Sequence, residues 1–220
     1  MFGGIGLGAT LSSAASSAAA AILSISGYVR DNLKLYMPFK TASEVKFVGT
    51  GSTSFDGDDD YIEFPVITLT GEFTIGVWIK MDSLGTDTII GDSANQDWLR
   101  ITTTNRIELR INNNDIDQAS LGLDFASNVW TYFTITRDSN NLLRYYKDGI
   151  VSASTDTRSG DFTPTKWGEK SSGDANFGGD MKNAAIWSRE LSQTEIQNVM
   201  YKTYGQLVDT EKISLVSWWS

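Results

Sequence analysis

Apolar and polar residues alternate with a period of two through most of the chain after residue 31. Phe73, Ile75, Val77, Ile79 and Met81 alternate with Thr74, Gly76, Trp78 and Lys80, and Ile107, Leu109 and Ile111 with Arg106, Glu108 and Arg110. Alternation puts one set of side chains on each face of a strand, so both stretches predict half-buried strands. The same reading gives strands over Leu33–Phe39, Val45–Val48, Thr88–Ile90, Trp98–Thr102, Val129–Thr136, Leu142–Lys147 and Ile150–Ser154. The last two are joined by the tight turn Asp148-Gly149. Thr53 to Phe64 reads T-S-F-D-G-D-D-D-Y-I-E-F, in which Phe55, Tyr61 and Phe64 are strand-type aromatics. It predicts a hairpin with Asp58, Asp59 and Asp60 at its tip. Short strands between turn signals, with little helix among them, define an all-β class: a two-sheet antiparallel sandwich.

Two stretches break the period. Ser192-Gln193-Thr194-Glu195 has the form of a capping box, with Leu191 and Ile196 placed as its hydrophobic staple. Ile196, Val199 and Met200 then line one face of a short helix running to about Tyr201, which is expected to pack on the side of the sandwich. Residues 1–27 are rich in Ala, Ser and Gly, with no charge before Arg30. Leu11, Ala15, Ala18, Ile22 and Ile25 step by four, three, four and three, the spacing of a coiled-coil seam lined with small residues. A helix of about 15 residues is marginal alone in water, so this Ala/Ser-rich segment is read as an assembly or anchoring element rather than a disordered tail. It is weakly hydrophobic for a membrane span, and no Lys or Arg precedes it as in a secretory signal. The organisation is therefore 1–27 head segment, 28–32 linker, 33–205 sandwich, and 206–220 a C-terminal strand or the start of a further repeat. The last alternative arises because Ile213 to Ser220, I-S-L-V-S-W-W-S, is similar to the stretch read as the opening strand, Leu33–Phe39.

Composition removes several function classes. The net charge of −9 and pI near 4.5 argue against nucleic acid or an anionic membrane as partner. The chain contains neither cysteine nor histidine, which excludes Ser-His and Cys-His catalysis, thiolate metal sites and disulfides together.

Six motifs follow in order: L-x-L-Y-M-P-F, F-D-G-D-D-D-Y-I, E-F-T-I-G-V-W-I-K, W-T-Y-F-T-I-T-R-D, Y-K-D-G and F-G-G-D-M-K-N-A-A-I-W-S-R-E-L-S-x-x-E-I. Together they resemble a laminin G-like, concanavalin A-like jelly-roll domain over about Leu33 to Tyr204. The resemblance implies a fold shared by lectins, pentraxins, adhesion modules and glycoside hydrolases, so it does not choose among them. It also implies a cation, Ca2+, near Asp58, Asp59 and Asp60, with Asp180 as a spare ligand, the equal alternative being a charged, solvated turn with no ion. Lys182 stands where the family usually carries an acidic residue, and its ammonium is an alternative means of neutralising the aspartates.

Catalysis is not expected. Jelly-roll glucanases carry paired carboxyls on one strand, and Glu63, Glu72, Glu108 and Glu169 each lack such a partner. Asp115 and Asp117 are two apart but fall in the turn-like stretch N-N-N-D-I-D. A glycan-binding surface needs aromatics beside Asn, Asp and Gln, and the candidates are Asn95, Asp97, Trp98, Asn112, Asn113, Asn114 and Trp167. Trp78, Trp130 and Trp187 match fold positions of the family and are read as core or sheet cover, an alternative that also applies to Trp98.

The order of parts is similar to structural proteins of marine bacteriophages. That resemblance implies a decoration, head-fibre or tail-fibre protein on the virion surface, trimerised through the head seam and attached to other virion proteins. It would display its sandwich to host-surface glycans. The alternative is a secreted or cell-surface carbohydrate-binding or adhesion module of a bacterium. Light scattering of the full chain beside a truncation starting at Tyr28 checks the seam: the full chain is expected to be an oligomer and the truncation a folded monomer.

Overall fold

The computed structural model describes residues 51–102, 106–118, 124–171 and 175–220. The head seam Leu11, Ala15, Ala18, Ile22 and Ile25, and the strands read at Leu33–Phe39 and Val45–Val48, lie outside the described residues. Strands β1 (Thr53–Asp56), β2 (Ile62–Glu63), β3 (Phe73–Met81), β4 (Thr86–Gly91), β5 (Trp98–Thr102), β6 (Arg106–Ile111) and β7 (Asn114–Gln118) come first. They are followed by β8 (Thr131–Arg137), β9 (Leu142–Lys147), β10 (Ile150–Thr157), β11 (Lys166–Trp167) and β12 (Gly178–Trp187). Helices α1 (Gln193–Val199) and α2 (Asp209–Lys212) precede the last strand, β13 (Leu215–Trp219). One antiparallel sheet has the order β1-β12-β3-β8-β9-β10, with β13 also on β12; the other has the order β2-β11-β4-β5-β6-β7. This is the two-sheet jelly-roll sandwich expected, with one short helix after its last central strand.

The acidic stretch is not a hairpin. β1 pairs with β12 in the first sheet and β2 with β11 in the second, so Asp56 to Tyr61 arches from one sheet to the other. Phe55 and Phe64 must both reach the core, and they do so from opposite layers, at 2% and 8% exposure. The arch is closed by its own carboxylates. Asp56 Oδ1 accepts the N–H groups of Asp58 (2.8 Å) and Asp59 (3.3 Å), and Asp60 Oδ2 accepts that of Asp56 (3.0 Å).

Between the sheets, the inward residues of β3 meet Phe133, Ile135 and Tyr145 from their own sheet and Ile90, Leu99, Ile101 and Leu109 from the other. The outer face of β3 is buried as well, which departs from the half-buried strand that alternation predicts. Trp78, Tyr132, Tyr146, Ala185 and Trp187 form a second apolar cluster there, roofed by Leu191, Ile196, Val199, Met200 and Leu207. The indole N–H of Trp78 donates to the Met200 carbonyl (2.6 Å) and that of Trp187 to the Glu211 carbonyl (2.8 Å), so neither tryptophan buries an unpaired donor. The capping box forms as read: Ser192 Oγ accepts the Glu195 N–H (3.3 Å), and Glu195 Oε2 accepts that of Ser192 (2.8 Å). Its staple residues, Leu191 and Ile196, are the ones that hold α1 to the sheet.

The turn between β9 and β10 is the tight one predicted, with Asp148 at φ 51° and Gly149 at φ 73°. The stretch after β6 turns sooner than read. Asn112 (φ 49°) and Asn113 (φ 62°) make the turn, and Asp115 and Asp117 already belong to β7.

Gly179 lies at φ 136°, and a Cβ there would come within 2.1 Å of the Lys80 carbonyl oxygen. Gly179→Ala is therefore expected to cost about 3 kcal/mol in urea unfolding. Gly205→Ala, whose Cβ would meet nothing within 4 Å, is expected to stay within about 0.5 kcal/mol of the parent.

Candidate functional site

The outward face of the second sheet is polar, and one row of it is continuous. Pairing aligns Glu63 with Lys166, Lys166 with Gly91, Gly91 with Trp98, Trp98 with Arg110, and Arg110 with Asp115. Trp98 belongs to neither apolar cluster, yet it is only 3% exposed. Cations cover it: Arg100 Cζ lies 4.3 Å, Arg110 Cζ 5.1 Å and Lys170 Nζ 5.6 Å from its ring centroid. Gly91 makes this possible, because a Cβ there would meet Lys170 Cα at 2.7 Å. The missing side chain lets residues 169–170 lie against the sheet.

Beside this row, three chain segments enclose an open cleft of about 710 Å³. They are the residues after β2, the β4–β5 loop and the residues before β11. The walls include Glu63, Pro65, Asp92, Gln96 and Thr163, with Phe64 at the base. Backbone bonds tie the segments together: Phe64 N donates to Thr165 O (2.9 Å) and Thr165 N to Gly91 O (2.9 Å). Asp92 Oδ1 accepts from Gln96 N (2.9 Å) and Asp97 N (3.3 Å), which shapes the β4–β5 loop. Burial raises the Asp92 carboxyl above its ordinary range, against the lowering effect of those N–H groups. Asp97 carries the most structure per atom. Its Oδ1 accepts the Asn112 N–H (2.7 Å), and its Oδ2 accepts the Thr163 N–H (3.1 Å) and the Thr163 hydroxyl.

The structure therefore gathers most of the residues that sequence proposes for glycan contact, at one end of the second sheet. Asn95, Asp97 and Trp98 lie in the β4–β5 loop and the start of β5; Asn112, Asn113 and Asn114 lie in the adjoining turn. Asn95 accepts from Arg110 Nη1 through its carbonyl (2.9 Å) and from Lys170 Nζ through its side chain (3.3 Å), and Asn113 N donates to Gln96 O (2.9 Å). As ring platforms, the two tryptophans are corrected. Trp98 is sealed under its cations, and Trp167 is 1% exposed because its side chain points between the sheets. Trp78 and Trp187 are core, as read.

The acidic arch brings together carboxylate oxygens of Asp56, Asp59 and Asp60, all within 4.8 Å of one another and exposed, an oxygen set that suits a hard cation. Asp58 and Asp180 are not part of that group. Asp180 pairs with Lys80 across the first sheet. The Lys182 ammonium lies 4.2 Å from the Trp130 ring centroid, and Asp180 is a carboxylate whose charge acts on it.

Tyr61 is the feature that sequence reading missed. Ile62 and Phe64 point inward and Glu63 outward; Tyr61, the residue just before β2, lies with its ring against Lys166, the cross-strand partner of Glu63. The Tyr61 ring is 46% exposed, with Lys166 Nζ 3.9 Å from its centroid. The alternation of residues 61 to 64 is a signal that could have found it.

The concanavalin A-like lectin/glucanases superfamily, as its laminin G-like model, matches residues 56–197, and the chain belongs to that superfamily. Among solved structures, a candidate carbohydrate-binding protein from Bacteroides ovatus superposes with a TM-score of 0.58 at 22% identity, over 76% of this chain and 51% of that one. This chain thus spans about half of the Bacteroides protein. Domain 4 of the extracellular arabinanase AbnA from Geobacillus stearothermophilus, in complex with arabinotriose, gives 0.53 at 15% identity, over 69% and 76% of the two chains. The carbohydrate-binding module of a Ruminococcus gnavus sialidase, bound to sialyllactose, gives 0.50 at 16%, over 67% and 95%. At these identities the likeness is one of fold. No curated protein matches the chain by sequence at a significant level.

Replacing Asp97 tests the scaffold of the cleft. Asp97→Ala strands the N–H groups of Asn112 and Thr163 and is expected to cost about 3 kcal/mol in urea unfolding, with Asp97→Asn, which keeps one acceptor, costing about half of that.

Proposed function

We propose that the domain is a non-catalytic carbohydrate-binding module and that its site is the cleft beside β2 and the β4–β5 loop. The observation that carries this reading is the chemistry of the cleft wall. Carboxylates at Glu63 and Asp92 accept sugar hydroxyls, the Gln96 amide both donates and accepts, and Pro65 and Val66 offer apolar surface to the C–H face of a sugar. Solved proteins of the same fold whose names state glycan binding support it.

Absence of catalysis is part of the proposal. A retaining or inverting glycosidase needs one carboxyl held protonated as general acid opposite a second carboxyl. Asp115, one of two aspartates spaced along β7, is bound by Arg110 through both oxygens, and that hydrogen bond pulls its carboxyl below the ordinary range. The carboxyl that burial does raise beside the cleft, Asp92, already accepts two backbone N–H groups.

The carrier we favour is a virion surface, with residues 1–27 as the segment that assembles copies and docks them; the small-residue seam in the sequence supports it. A bacterial secreted or cell-surface module is the second reading, favoured by the bacterial sources of the three similar structures named above. Recovery of the protein from purified particles, or its absence from them, separates the two. The binding function is tested on a glycan array with the full chain: a defined subset of glycans is expected to bind, and the double variant Glu63→Ala/Gln96→Ala to lose them at least tenfold. A folded chain that binds none defeats the reading.

A further inference from the structure

We infer that Tyr61 is the stacking platform of a second subsite, so that the site takes a neutral glycan chain of two or more sugar units laid along β2. This rests on the cleft reading above. β2 ends in the cleft wall: Glu63 and Pro65 line it, and the Tyr61 ring, just before β2, sits against Lys166, whose cross-strand partner is Glu63. Two residues of extended chain span about 7 Å, a distance on the scale of one sugar unit. A chain held in the cleft and leaving past Glu63 therefore meets the Tyr61 ring.

The ring is set up for this contact. Lys166 lies against the ring at 3.9 Å from its centroid, and the residue is still 46% exposed, so a large part of it is open to solvent. Lys166 itself is 9% exposed and ion-paired with Glu169 at 2.9 Å. Packed cover on one side orients an aromatic ring at little entropic cost when a sugar stacks on the other. The remaining well-exposed tyrosines among the described residues belong elsewhere: Tyr201 lies over Trp78 just after α1, and Tyr204 beside Lys212 of α2.

The charge around the track selects the class of glycan. Glu63 and Asp92 line the cleft, no Lys or Arg is among the described residues that line it, and the Lys166 ammonium against Tyr61 is ion-paired with Glu169. A uronic or sialic carboxylate in the cleft would be brought beside two carboxylates. Neutral hydroxyls meet acceptors instead.

Isothermal titration of the full chain with laminarihexaose, cellohexaose, xylohexaose and trigalacturonic acid tests the inference. At least one neutral hexaose is expected to bind, more tightly than its monosaccharide. Tyr61→Ala should weaken the hexaose about tenfold and leave the monosaccharide unchanged, while Tyr61→Phe and Tyr61→Trp keep the affinity. If Tyr61→Ala melts early, Tyr61→Leu, which keeps cover over Lys166 without a π face, makes the same comparison. Equal hexaose affinity for Tyr61→Ala and the parent, with binding still lost in Glu63→Ala/Gln96→Ala, overturns the second subsite and leaves the cleft reading standing. Loss in Tyr61→Phe equal to that in Tyr61→Ala overturns stacking, and preference for trigalacturonic acid overturns the neutral class. A parent chain that binds neither these sugars nor any glycan of the array removes the reading beneath.

Discussion

Burial of β3 and β12 on both faces is the constraint from which the rest of this domain follows. Their inward residues close the core between the sheets, and their outward residues, Trp78, Ala185 and Trp187, require a roof. The roof comes from the C-terminal part of the chain: Leu191, Ile196, Val199, Met200 and Leu207. Two buried indoles find acceptors on it, at Met200 and Glu211, so the roof satisfies polar atoms as well as covering apolar area. The outward face of β3 and β12 is thereby covered by the chain's own C-terminal residues.

The second sheet pays no comparable tribute to an apolar roof. Its outward face is covered by charge: Arg100 on Glu108, Arg110 on Asp115, Lys166 on Glu169, with Trp98 sealed among Arg100, Arg110 and Lys170. Such a face holds its side chains in paired positions and gives a rigid base next to the loops that shape the cleft. Asp97 and Asp92 fix those loops through backbone N–H groups, which is why a surface built from irregular segments has a defined shape. The acidic arch does the corresponding task at the opposite end of β2. Its aspartates close the crossing between sheets, and three of them leave exposed oxygens together.

Membership in the concanavalin A-like superfamily fixes the scaffold and leaves the task open, because lectin, adhesion and hydrolytic members share the same two sheets. What separates a binding module from a hydrolase is the state of its carboxyls. Here Asp115 is held by Arg110 and one oxygen of Asp92 accepts two backbone N–H groups, so both carboxyls take part in the scaffold around the cleft.

The sequence by itself determined the local elements. Period two marked β3, β5, β6 and β9, the capping box with its staple marked α1, and Asp148-Gly149 marked its turn, because each depends on interactions among residues a few positions apart. The choice of layer is different in kind. Nothing local in T-S-F-D-G-D-D-D-Y-I-E-F says that Phe55 and Phe64 enter the core from opposite sheets; that follows from β12 and β11, more than a hundred residues on. Likewise, Asn95 to Trp98 and Asn112 to Asn114 were legible as polar loop chemistry. Whether a ring near them is open to solvent depended on Arg100, Arg110 and Lys170, which cover Trp98, and on Lys166, against which Tyr61 rests half-exposed. Spacing along the chain records which side chains share a strand face, and only the packed structure decides which face meets water.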